Sequence, residues 1–316
     1  MMKLQTNVPL EKVVHPITYN DSFLLMGSCF VTHIAEKFSY YKLPNAVNPF
    51  GVIFQPAAIA KLIERAVNVD YFTEEDLFYF NEQWHCYEVH SQLSNSDKEQ
   101  CLTNLNAALD VLKTGLETSS YFVLTLGTAW VYRFIETDSL VANCHKVPQK
   151  RFLKELLTVD EVMGSVQAIV ALIRSINPEI RVLTTVSPVR HLKDGFVENM
   201  RSKAHLIAGL QEVVNIRKHI YYFPSYEIMM DELRDYRFYK EDMVHPNSLA
   251  VSYIWERFVA TWVAEEGKKV MEEVETVQKG LAHKPFNPTS EAHQKFLQKL
   301  HARVAVLQKE YPFMKF

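Results

Sequence analysis

The chain has 316 residues, and its 34 Lys and Arg against 37 Asp and Glu leave a formal charge of -3, spread along the sequence without the basic footprint of a nucleic-acid or anionic-membrane binder. No run approaches the ~20 apolar residues of a membrane span, and residues 1–20 lack the basic start and apolar core of a signal peptide. These features predict a cytoplasmic protein, a trimmed leader aside, acting on a small molecule or neutral polymer. The length suits one large α/β domain with a helical appendage, or two domains. Cys29, Cys86, Cys101 and Cys144 are widely spaced with no Cys-x-x-Cys pair, which argues for reduced thiols.

In chain order, Phe23-Leu24-Leu25-Met26 is a continuous apolar run of the kind buried on both faces of a sheet, and Gly27 ends it. Phe30, Ile34 and Phe38, with Val31 and Ala35 beside them, then recur at helical spacing, so Gly27-Ser28-Cys29 reads as the turn from a buried strand into an amphipathic helix. The first N–H groups of a helix are unpaired and partly positive, which stabilises a thiolate or a developing oxyanion. Cys29 is either the nucleophile at that point or a small buried hydrophobe. Ser28 is either a rival nucleophile or the helix N-cap.

Asn45 to Gly51 is rich in turn formers, and a helix is predicted from about Pro56 to Val67. Leu77–Phe80 and Trp84–Val89 flank Asn81-Glu82-Gln83 as a hairpin inserted near 76–91, followed by helical periodicity from about Ser96 to Leu116. Tyr121–Leu126 is the second buried strand and also ends in glycine, Gly127. From Trp130 to Lys150 the pattern reads as irregular, with Asn143-Cys144-His145-Lys146-Val147-Pro148 as a polar knot. A helix over about Val159–Ile176, a strand Arg181–Val186 stopped at Ser187-Pro188, a helix near Glu198–Ile216, a strand Ile220–Phe223 and a helical turn around Ser225–Leu233 follow. Strand and helix alternate four times, which argues a parallel sheet covered on both faces. Ligands bind such sheets at the carboxyl ends of the strands, where Gly27, Gly127 and Ser187 fall.

The loop Tyr239–Asn247 precedes a helix at about Ser248–Glu265. Past Gly267 a charged helix, Lys268–Lys279, is predicted to stop at Gly280, and a Pro-containing linker leads to a last helix near Ser290–Glu310 with Phe296, Leu300, Val304 and Leu307 on one face. The organisation expected is an α/β domain over 1–266 and a helical extension over 267–316 packed on it.

Asp242 and His245 lie three residues apart in that loop, so the carboxylate can hold the imidazole in one tautomer, as the orienter and base of a triad. Alone, the pair also reads as a capping Asp beside a surface His. Cys144 and His145 are adjacent, which rarely suits one ion, and no His-Glu-x-x-His motif occurs, so no metal is expected. His85 and His90 fit a solvated strand face or the wall of a cleft. The absence of a phosphate-binding Gly-rich loop and of Gly-x-Ser-x-Gly argues against nucleotide enzymes and α/β-hydrolases.

Gly27-Ser28-Cys29-Phe30, Asn48-Pro49-Phe50-Gly51, Thr125-Leu126-Gly127-Thr128-Ala129-Trp130, Asn143-Cys144-His145-Lys146-Val147-Pro148, Ser187-Pro188-Val189 and Asp242-Met243-Val244-His245-Pro246 together resemble the motif series of the GSCFA family. That family is similar to the SGNH (GDSL-type) hydrolases, and the resemblance runs from about Phe23 to Phe258. It implies a three-layer, flavodoxin-like α/β fold. It places Cys29 at the nucleophile position, Ser28 at the position of the SGNH Asp, Gly51 as a backbone oxyanion donor, and Asp242 and His245 as orienter and base. The third SGNH motif is matched only at Gly127, with Ala129 where an oxyanion-binding Asn belongs and Trp130 where an Asp belongs. Losing one such donor typically costs about 10²–10³ in rate. Asn143 is the candidate replacement, its other reading being a turn residue. Asn48, Trp130 and His145 complete the substrate-binding candidates. The implied chemistry is ester or thioester hydrolysis or acyl transfer without a cofactor, with acylated carbohydrate as one substrate class. The competing reading is a non-catalytic domain that binds a glycan or a protein partner in a degenerate cleft. A depressed Cys29 thiol pKa would favour the enzyme.

Overall fold

A computed structural model describes residues 6–316. Its central sheet has five parallel strands: β1 (Phe23–Gly27), β2 (Asn45–Val47), β5 (Tyr121–Leu126), β9 (Arg181–Val186) and β10 (Ile220–Tyr222), in the order β2-β1-β5-β9-β10. Numbered by their sequence within this sheet, the strands run 2-1-3-4-5, the flavodoxin-like order, and the direction of winding reverses between β1 and β5. A crevice at the carboxyl end of those two strands is therefore dictated by the topology.

The strands are largely apolar because both faces are covered. Leu24, Met26, Phe122, Leu124 and Val182 point into a cluster with α2 (Pro56–Asn68), α3 (Lys98–Thr118), α4 (Val159–Ile176) and α5 (Phe196–Val213). Phe23, Leu25, Tyr121, Val123 and Leu183 point the other way, onto α1 (Cys29–Tyr40) and α7 (Ser248–Trp262). Period-two alternation thus divides each strand between two cores. On α1 the residues buried are Phe30, Val31, Ala35 and Phe38, as the helical spacing predicts. A short helix α6 (Ser225–Glu227) continues as a single π turn over Ile228–Glu232.

Three expectations need correction. Asn45–Val47 is an edge strand, not a turn: three residues pair with Phe23–Leu25 before Asn48 bends the chain, too short a run to stand out among Asn and Pro. The stretch read as irregular, Trp130 to Lys150, holds two strands of a three-stranded antiparallel sheet in which β6 (Trp130–Phe134) lies between β7 (Ser139–Val141) and the following β8 (Phe152–Leu156). Its polar positions disguised it, because Arg133 on β6 pairs across the sheet with Glu155 on β8 at 2.8 Å, a cross-strand ion pair instead of an apolar one. The hairpin β3 (Phe78–Phe80) and β4 (Gln83–His85) packs beside this sheet through Phe78, Tyr87, Phe134 and Phe152. Finally, helix α8 (Glu265–Ala282) runs through Gly280. There a Cβ would lie 2.6 Å from Leu300 of α9 (Glu291–Glu310), so glycine serves a close helix crossing and not a stop. Met271, Val274, Val277, Leu300 and Leu307 of these two helices join the same apolar cluster as α1 and α7. Among the described residues no helix is long and apolar enough to cross a membrane.

Gly27 is required at the end of β1. Its φ is +138°, and a Cβ there would sit 2.0 Å from the carbonyl oxygen of Thr125, its partner on β5. Gly27→Ala is expected to cost about 3 kcal/mol or more, seen as a lower urea midpoint at unchanged slope.

Candidate active site

The crevice is assembled by hydrogen bonds that tie the ends of β1, β5 and β9 together. Asn48 N–H donates to Leu25 O at 2.9 Å, and its side-chain Oδ1 accepts from Gly27 N–H at 2.8 Å, so one residue extends the strand pairing and then locks the turn. Ser28 N–H donates to Thr125 O at 2.9 Å. This leaves Cys29 as the first residue of α1, partly exposed, while Ser28 is completely buried. Ser28 occupies the N-cap position but makes no capping bond, and its Oγ has no partner. Among the described residues the N–H groups of Cys29 and Phe30 have no backbone acceptor, as expected in the first turn of a helix.

The loop before α7 is shaped by Asp242. Its Oδ1 accepts from the N–H groups of Val244 and His245, both at 2.9 Å, and its Oδ2 lies 2.7 Å from His245 Nδ1. Those backbone donors, then the imidazole, hold the carboxyl down at about 2. With Nδ1 bound, His245 presents Nε2. The loop is tied to the end of β9 by Arg190 N–H donating to Val244 O at 3.2 Å, and Lys240 N–H donates to His245 O at 2.7 Å.

The most informative residue was not anticipated from the sequence. Lys203, on α5, is fully buried and donates from Nζ to Gly127 O and Ser187 O, each at 2.7 Å, clamping the carboxyl ends of β5 and β9. Burial pulls its amine down to about 7, opposed by the Cys29 thiol nearby. One turn earlier, Asn199 Oδ1 accepts His191 N–H at 2.8 Å, and Ser202 Oγ accepts Ala129 N–H at 2.8 Å. A signal existed: Asn199, Ser202, Lys203 and Leu206 are spaced as one buried helical stripe, with three polar members where apolar ones belong.

Burial raises the Cys29 thiol above its ordinary 9.0, against the helix N–H groups and the charges of Lys203 and Lys240, which lower it. The resting group is a neutral thiol. No hydrogen bond joins it to His245 among the described residues, although His191 feels both Lys203 and His245, and Cys29 feels Lys203 and Lys240. The depressed thiol that would favour an enzyme is therefore not what the site has. Alkylation of Cys29 by iodoacetamide, followed by intact mass, is expected to accelerate with pH through 9 and beyond, since the thiolate forms only there. A plateau near pH 7 would contradict this.

The other candidates divide. Gly51 N–H is spent on Asn48 O at 2.8 Å and Gly127 N–H on Phe54 O at 2.8 Å, so neither is free as an oxyanion donor. Asn143 Oδ1 accepts His145 N–H at 2.8 Å, the turn role, while Asn143 also borders a cleft of about 700 Å³. Trp130, Tyr132, Lys154, Phe54 and His191 line the same cleft. Lys154 Nζ stands 4.6 Å above the Trp130 ring. His145 lies elsewhere: it is buried beside His85 and Phe78, with Nε2 2.7 Å from Cys86 O, and is pushed down to about 4 by burial. Cys29 and His245 are not in the cleft wall, to which Val244, the residue before His245, belongs together with His191.

Residues 22–258 match the GSCFA family, and residues 274–316 match the family described as GSCFA domain protein, C-terminal domain. The chain belongs to the GSCFA family. No curated protein matches it. Among solved structures it is similar to a carbohydrate esterase family 3 from Talaromyces cellulolyticus and to an acetyl esterase mutant with an acetate ion. Each is 10% identical at a TM-score of 0.37, over 81% of this chain and 99% of the other. The first GSCFA motif, Gly27 to Phe30, occupies the strand-to-helix turn, and Asp242 to Pro246 lie in the loop before α7.

Proposed function

We propose that this GSCFA protein is a hydrolase or transferase of acyl groups in which Cys29 attacks the carbonyl carbon of an ester or thioester. The observation that carries this reading is the Asp242–His245 couple, bonded at 2.7 Å with Nε2 presented, on a loop whose Lys240 charge acts on the Cys29 thiol at the start of α1. Because the resting thiol is neutral, His245 must take its proton as the C–S bond forms; Asp242 stabilises the imidazolium. His245 then returns that proton to the departing alkoxide or thiolate. Attack of water or of an acceptor hydroxyl on the acyl-cysteine, again with His245 as base, completes the cycle. The adjoining cleft of about 700 Å³, with the Trp130 and Tyr132 rings on one wall, suits a sugar-sized acyl carrier.

A non-catalytic, glycan- or protein-binding role is the second reading, favoured by the raised thiol pKa and the missing thiol–imidazole bond. One experiment separates the two: intact-mass detection of acylation by an activated acetyl ester, with turnover, in wild type, Cys29→Ala, Ser28→Ala and His245→Ala. An adduct lost in Cys29→Ala supports the thiol enzyme. An adduct lost only in Ser28→Ala moves the nucleophile by one residue, and no adduct in wild type supports the binding role.

A further inference from the structure

An acyl-transfer site needs donors aimed at the developing oxyanion, and here the expected ones are missing: Ala129 carries no amide, and the N–H groups of Gly51 and Gly127 are spent. The N–H groups of Cys29 and Phe30 remain. Directly over Gly127 sits His191, whose Nε2 is 3.1 Å from the point where a Cβ on Gly127 would lie; the Cβ of Ser28 is 3.2 Å from that same point. Both His191 Nε2 and Ser28 Oγ are buried and without a partner. A buried polar atom left unpaired costs about 1–3 kcal/mol. The His191 Nε2 lies beside that point and the Ser28 side chain starts there, one residue from the nucleophile, and together they mark a place that a polar atom of a ligand fills.

We propose that His191 is the missing oxyanion donor, its Nε2–H donating to the substrate's carbonyl oxygen as Cys29 attacks. The residue is built for a fixed position. Its N–H is held by Asn199 Oδ1, its ring meets Phe54 edge-on at 5.1 Å, and the preceding residue ties to the His245 loop. Its protonation is fixed as well. Burial, with Lys203 and His245 adding to it and Asp194 opposing, holds the imidazole down at about 3, so it stays neutral and does not compete with His245 for the thiol proton. A neutral imidazole acting as an electrophilic donor is established chemistry in other enzymes.

This assignment rests on the proposed acyl chemistry, and the test separates the two. Single-turnover acylation by the activated acetyl ester and alkylation by iodoacetamide are measured side by side in wild type, Cys29→Ala, His191→Phe and His191→Asn, each checked for folding by its Tm. Alkylation forms no oxyanion. His191→Phe is expected to slow acylation about 10²–10³-fold while alkylation stays within about threefold, and His191→Asn to recover about tenfold or more of the loss by restoring an amide donor. Acylation and alkylation falling together, or acylation unchanged in His191→Phe, would overturn the assignment while leaving the thiol enzyme standing. Equal acylation of wild type and Cys29→Ala would overturn the thiol chemistry itself and the assignment with it.

Discussion

Cys29→Ala is expected to reduce turnover of an activated ester by at least about 10³-fold and to remove the acyl adduct, because no covalent route survives. His245→Ala should cost about 10²–10⁴-fold near pH 7, and that loss should shrink as the pH rises past 9. The reason is the state of the nucleophile. The thiol is raised above 9.0 by burial, so at neutral pH the base must remove its proton during attack, whereas in alkali the thiolate forms unaided. A His245→Ala defect that stays constant from pH 7 to 10 would mean that the imidazole does not act as this base. Asp242 sharpens the point: its carboxyl, held at about 2, remains ionised across the whole range, so the change with pH belongs to the thiol.

Lys203→Met is expected to destabilise the folded state strongly. The carbonyls of Gly127 and Ser187 would lose their donor at the ends of two central strands, at about 1–3 kcal/mol each, and the absent desolvation of the amine returns only part of this. A net loss of about 2–4 kcal/mol by urea denaturation follows. Its pH dependence has a definite sign. The amine titrates near 7 when folded and near 10.5 when unfolded, so between those values the unfolded chain binds the extra proton and wild-type stability rises with pH. Below 7 both states are protonated, and the full cost of burying the ammonium is present. The gap between wild type and Lys203→Met should therefore widen from pH 7 to 10, by a few kcal/mol at most. A gap independent of pH would place the titration elsewhere.

Much of the frame was legible because it depends on neighbours in sequence. A continuous apolar run identified β1, and largely apolar runs β5, β9 and β10, since a strand covered on both faces shows little polar side. Gly27 after such a run, followed by Phe30 and Phe38 at helical spacing, located the strand-to-helix turn, and Asp242-x-x-His245 is a contact within one short loop. Where the pattern was polar or short it misled. β6 and β8 hide an Arg133–Glu155 cross-strand pair, and β2 is three residues of an edge strand.

By itself, then, the sequence determined the parallel α/β frame, the turn that carries Cys29 and the loop that carries His245, because each is specified by side chains within a few positions of one another. Only the tertiary structure decided the electrostatics and the donors of the site. Lys203 reaches back 76 residues to Gly127, His191 comes to lie over that glycine, the N–H groups expected for the oxyanion are consumed by Asn48 and Phe54, and burial keeps the thiol protonated. Desolvation and hydrogen-bond satisfaction depend on everything that surrounds an atom, and those surroundings exist only once distant segments have packed.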